Sequence, residues 1–132
     1  MGDGVFIRSD VRPSNLALNA LFTAAWGHII DRDHQPVLDR SLGFVCAMHE
    51  DALVGFVNVA WDGGQHAFIL DTCVAPDFQR QGIATALVKQ AVPMAKSRGV
   101  VWLHVDFEPH LSAFYEGCGF RPSAAGVMDL RG

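Results

Sequence analysis

The chain has 132 residues, 50% of them apolar and 18% charged, with a net charge of −4. That length lies in the usual range of about 100 to 200 residues for one core, and the apolar share argues against disorder. The acidic balance has the wrong sign for tracking a phosphate backbone, so no nucleic-acid partner is expected.

One domain over residues 1–132 is the resulting expectation. No run reaches the roughly 18 apolar residues a membrane span needs, and Met1-Gly2-Asp3-Gly4-Val5 has neither a basic nor an apolar export region. Cys46, Cys73 and Cys118 are odd in number and form no C-x-x-C pair. Reduced, buried thiols in a cytoplasmic protein with no membrane attachment are expected.

In chain order, Val5 to Arg8 is a short β-prone run. From Pro13, with Ser14 as a cap, Leu16, Leu18, Leu21, Ala24 and Ala25 recur at mostly helical spacing, which predicts a helix to about His28. Asp31 to Ser41 carries charge, a proline and no periodicity, and reads as a loop or a short second helix. Leu42 to His49 and Leu53 to Trp61 predict an antiparallel pair around Glu50-Asp51-Ala52. His66 to Val74 follows the turn Asp62-Gly63-Gly64-Gln65 as a third strand of the meander.

Gly82 to Arg98 is amphipathic, with Ile83, Leu87, Ala91 and Met94 or Ala95 on one stripe and Lys89, Pro93 and Lys96 on the other. Gly99 closes this helix, and Pro93 should kink it. Val100 to Phe107 predicts a strand parallel to the previous one, reached through a strand–helix–strand crossover. Pro109 to Gly117 reads as a short helix, and Phe120 to Leu130 as one or two edge strands around Gly126.

The segment Val74-Ala75-Pro76-Asp77-Phe78-Gln79-Arg80-Gln81-Gly82-Ile83-Ala84-Thr85 joins a strand to the amphipathic helix. Gly82 permits unusual dihedrals and Ala84 keeps the first turn bare, so main-chain donors from about Gln79 to Thr85 can face an anion such as a pyrophosphate. Neither a Walker lysine pattern nor G-x-G-x-x-G is present, which disfavours ATP and dinucleotides.

Gln79-x-x-Gly82-x-Ala84 resembles the [QR]-x-x-G-x-[GA] signature of the GNAT superfamily of CoA-dependent N-acetyltransferases. Leu111-Ser112-Ala113-Phe114-Tyr115-Glu116-Gly117-Cys118-Gly119-Phe120 looks like a second element of that family, at the expected distance. The resemblance covers about Leu53 to Leu130 well and the earlier residues by general layout. It implies an α/β (α+β) fold with a mixed, mostly antiparallel sheet flanked by helices and a splayed pair of parallel strands. It also implies acetyl-CoA as co-substrate and direct attack by a primary amine of a small molecule or peptide.

Carried over by position, the resemblance gives Val74 a backbone contact to the pantetheine arm, with a nearby N–H stabilising the thioester oxygen. Gln79, Arg80, Gln81, Gly82, Ile83 and Ala84 wrap the pyrophosphate through main-chain amides, and Thr85 adds a hydroxyl. Phe114 lies near the thioester, and Tyr115 takes the family's general-acid role. A phenol with a pKa near about 10 suits that role beside a thiol near about 8.5.

Asp71, Glu108 and His110 are the candidate bases, Asp71 being preferred because family members often place an acidic residue there. Glu108 stands where many members carry asparagine. No H-x-x-x-H or H-E-x-x-H pattern occurs, and no metal is expected. Self-association through sheet edges is common in the family, which admits a homodimer. The alternatives are a non-catalytic acyl-CoA-binding or sensing domain, or a transferase using another acyl donor.

Overall fold

In a computed structural model, residues 3–132 are described; Met1 and Gly2, where the N-terminal targeting argument begins, lie outside the described residues. Strand β1 (Val5–Arg8) is followed by helices α1 (Asn15–Trp26) and α2 (Gln35–Arg40). The meander is β2 (Gly43–His49), β3 (Ala52–Trp61) and β4 (His66–Val74), then come α3 (Ile83–Ser97), β5 (Trp102–His104) and α4 (Ser112–Gly117). The sheet runs in the order β1-β2-β3-β4-β5, antiparallel except for the parallel β4–β5 pair.

Alternation along β2 sorts the core into two layers. Val45 and Ala47 join Val57, Val59 and Ile69 beneath Ile83, Leu87 and Ala91 of α3. Cys46 faces the other way, with Phe56 and Cys73, toward Leu18, Leu21 and Phe22 of α1. Gly55 lets α3 approach closely, since a Cβ there would lie 3.1 Å from both Ala47 Cβ and Leu87 Cδ1. Phe56 is buried in the centre of the α1 layer, where truncation to alanine costs about 3–5 kcal/mol.

The α1 helix starts at Ser14, whose hydroxyl accepts from Ala17 N–H, and stops at left-handed Gly27, just short of His28. The unperiodic stretch before β2 does contain a short helix, α2. Pro93 sits inside α3 on its exposed side, as the sequence places it.

Two expectations fail toward the C-terminus. The strand expected over Val100 to Phe107 shrinks to β5, which pairs with β4 only through His66↔Trp102, Ala67↔Leu103 and Phe68↔His104. The edge strands expected within Phe120 to Leu130 do not form: residues 120–132 carry no helix or strand. Val127, Met128 and Leu130 there are exposed, so the alternation that reads as a strand has no surface to pack on. The late helix also divides, into a 3-10 turn at Pro109–Leu111 and then α4.

Candidate active site

The site begins with an interrupted sheet. Parallel pairing ends at Phe68 opposite His104, while β4 continues to Val74, so the edge of β4 facing β5 is left open. A bulge sits in the same stretch: β3 advances from Phe56 to Asn58 while β4 spans Cys73 to Leu70. Asp71, within it, has φ 60°.

Beyond Val74 the chain makes a 3-10 turn and enters α3 through two left-handed residues, Arg80 at φ 63° and Gly82 at φ 80°. The Gln79 N–H donates to Pro76 O and the Ala86 N–H to Gly82 O. Between them, the N–H groups from Arg80 to Thr85 have no hydrogen-bond partner among the described residues. They form an unbroken row of donors at the positive end of a helix dipole. The side chain of Gln79 turns back instead, donating from Nε2 to Val74 O at 3.1 Å.

These elements enclose a cleft with an empty volume of about 1260 Å³, open mouth included. Of the expected site residues, Val74, Gln79, Arg80, Gly82, Ile83, Ala84, Thr85, Phe114 and Tyr115 line it. The Ile83 side chain is buried on the sheet-facing side of α3, so only its main chain is offered. Gln81 does not line the cleft, although its backbone N–H belongs to the unpaired row. Glu108 is not brought in either: it is exposed at the head of the 3-10 turn, and its carbonyl accepts from Leu111 N–H. That turn delivers His110 and Leu111 instead.

Tyr115 is buried, stacked on Phe107 at 4.8 Å and edge-on to Phe114 at 4.8 Å. Burial raises its pKa, and the nearby Thr72 hydroxyl pulls it partly back. No hydrogen bond of good geometry joins the two, and Thr72 Oγ1 is the buried side-chain oxygen left without a partner among the described residues. Thr72, Cys73, Ala25 and Trp26 also line the cleft without having been expected to.

Asp71 lies to one side, in a small niche it shares with His34, Leu18, Phe22, Phe56 and Asn58. The residue is exposed overall, yet neighbouring atoms desolvate its carboxyl enough to raise its pKa against the opposing charges of His34 and Arg32. The niche adjoins the cleft twice over. Asp71 precedes Thr72 in the chain, and Phe22 stacks on Trp26 at 4.4 Å and 7°.

The segment that carries His34 into the niche is held by a polar seam that sequence reasoning passed over. Asn15, Asn19 and Thr23 recur every fourth residue on one face of α1, and each binds the segment 30–34. Asn15 Oδ1 accepts from His34 N–H at 2.9 Å, and Thr23 Oγ1 from Ile30 N–H at 2.9 Å. Asn19 accepts the Arg32 N–H at 3.1 Å and donates to Arg32 O at 3.0 Å. That four-residue polar period was the available signal. Among the described residues, no group of three or more His, Cys, Asp or Glu is arranged to hold a metal ion.

An open strand edge, a row of free main-chain donors and a buried tyrosine thus line one cleft, an arrangement suited to an extended ligand with an anionic group. The chain belongs to the acetyltransferase (GNAT) family, whose model matches residues 9–120. It is similar to ycf52, an uncharacterised N-acetyltransferase of Pyropia yezoensis, at 31% identity over 78 residues, which is 59% of this chain and 45% of that one. A chloroplastic GCN5-related N-acetyltransferase 1 of Arabidopsis thaliana is 27% identical over 139 residues, covering 96% of this chain and 66% of its own length. The chain thus spans about half to two thirds of these relatives. A GNAT-family acetyltransferase from Streptococcus pneumoniae TIGR4 shares the fold, with a TM-score of 0.81 at 24% identity and coverage of 97% and 99%. No helix among the described residues is long and apolar enough to cross a membrane.

Proposed function

We propose that this protein transfers the acetyl group of acetyl-CoA to a primary amine of a small molecule or peptide, by direct attack in a ternary complex. The observation that carries this reading is the free donor row from Arg80 to Thr85, set beside the open edge of β4. A diphosphate fits such a row without any side-chain cation, and an extended amide-bearing arm fits an unpaired strand edge. The main chain of Arg80, Gln81, Gly82, Ile83 and Ala84 holds the diphosphate, Thr85 adds its hydroxyl, and Gln79 braces the strand end through Val74. Phe114 packs near the thioester.

The amine attacks the thioester carbon, the C–N bond forms and the C–S bond breaks, and Tyr115 gives its phenolic proton to the departing thiolate. Burial favours the neutral, protonated phenol, so the proton is in place at neutral pH. Asp71 draws the acceptor ammonium and marks the side from which its proton leaves; Glu108, outside the cleft, has no part in the step. The reaction as proposed needs no metal. The free cysteines suit a reducing compartment, and the cytoplasm is the proposed setting. Exposed Val127, Met128 and Leu130 favour a homodimer.

Calorimetry with CoA, together with thiol release from acetyl-CoA and other acyl-CoAs against an amine panel, tests the reading. Saturable heat and amine-dependent thiol release are expected. Heat without turnover on any acceptor would support the sensing domain instead, and absence of heat would overturn both.

A further inference from the structure

The hydrogen bonds around His34 fix which of its nitrogens carries the proton. Arg32 donates its N–H to Asn19 Oδ1 and accepts from Asn19 Nδ2, so the amide cannot be turned round without setting oxygen against oxygen. Asn19 Oδ1 therefore faces His34 Nε2, at 2.7 Å, and an oxygen there can only accept. The proton is on Nε2, which leaves the lone pair of a neutral ring on Nδ1, without a partner among the described residues. The rest of the residue is held as firmly. Its N–H donates to Asn15, its carbonyl accepts from Val37 and Leu38, and its ring meets the edge of Phe22 at 5.2 Å.

We propose that His34 is the catalytic base, its Nδ1 lone pair taking the proton of the acceptor ammonium in the niche it shares with Asp71, and that Asn19 is the residue that positions it. This rests on the transferase reading above and names the group that reading left open. The balance is simple. R–NH3⁺ gives one proton to Nδ1, and the free amine attacks. The second N–H proton, lost as the amide forms, replaces the one that Tyr115 gave to the thiolate, and His34 returns its proton to solvent.

The surroundings suit a base that is neutral when substrate arrives. Burial and the Arg32 charge lower the His34 pKa, while Asp71 and Asp33 pull it partly back up. Asp71 lines the same niche, where its carboxylate would draw the ammonium toward the ring.

The tautomer can be read without turnover, from long-range ¹H–¹⁵N spectra of the whole chain. A proton on Nε2 and a midpoint below about 6.5 are expected; a proton on Nδ1, or a ring still charged at pH 7.5, overturns the proposal. With spermidine, kanamycin and a lysine peptide as probes, His34→Gln should lower kcat/KM at pH 7 by about 100-fold. The acid limb of the profile should move up to the amine's own pKa, so that the deficit shrinks as pH nears it, and CoA affinity should not change. Asp71→Asn should instead move the acid limb to lower pH. An unaltered acid limb in His34→Gln overturns the assignment alone. CoA binding with no thiol release from the wild-type chain overturns the transferase reading, and the assignment with it.

Discussion

The two walls of the site are made of different material. On the side proposed for the cofactor, Arg80 to Thr85 offers free main-chain N–H groups whose direction follows from two left-handed residues and a helix start. On the side proposed for the acceptor, residues 30–34 are held to α1 by Asn15, Asn19 and Thr23, and the groups proposed to act are side chains. A wall of backbone donors serves a ligand component common to many enzymes. A wall of side chains can be rewritten one residue at a time, which is where acceptor choice belongs.

The largest effect that sharpens this contrast lies between the walls. Tyr115→Phe should lower kcat by about 100- to 10,000-fold while leaving CoA affinity nearly unchanged, read by thiol release and calorimetry. Equal losses in rate and affinity would show that the ring only packs. Next comes the cofactor wall: Gly82→Val, forced to φ 80°, should strain the turn by about 1–2 kcal/mol and weaken CoA about tenfold or more. Retained affinity would mean the donor row is not the grip.

On the acceptor wall, Thr23→Val keeps the side-chain shape and leaves the Ile30 N–H unpaired, at about 1–2 kcal/mol. Thermal stability should fall and acceptor KM rise, with CoA affinity constant. The smallest effect is acid sensitivity. His34 resists protonation in the folded chain, whereas the unfolded chain takes up that proton near about pH 6.5. Stability should therefore fall as pH drops below that value, by less than about 1.4 kcal/mol per pH unit. Urea titrations of wild type and His34→Gln between pH 7 and pH 5 would measure the difference.

The same contrast explains what could be read in advance. The meander and α3 were legible because alternation and the 3.6-residue period follow directly from burial, and Gln79, Gly82 and Ala84 carry a fixed backbone shape. The seam on α1 was not, because side-chain-to-backbone bonds hold segment 30–34 without imposing any apolar period on it. Val100 to Phe107 misled for another reason. Only Trp102 to His104 find a partner strand, and alternation alone does not say where pairing stops. Glu108 misled because position in a motif does not fix orientation: the turn at Pro109 carries His110 and Leu111 inward and leaves the carboxylate outside.

Asp71 occupies a backbone conformation that glycine would adopt with less strain. Asp71→Gly should consequently raise the melting temperature of the fold while impairing acetylation. A chain selected for rigidity alone would make that exchange; one retaining the carboxylate accepts a slightly softer sheet at the spot where, in the proposed reaction, the acceptor's charge is met.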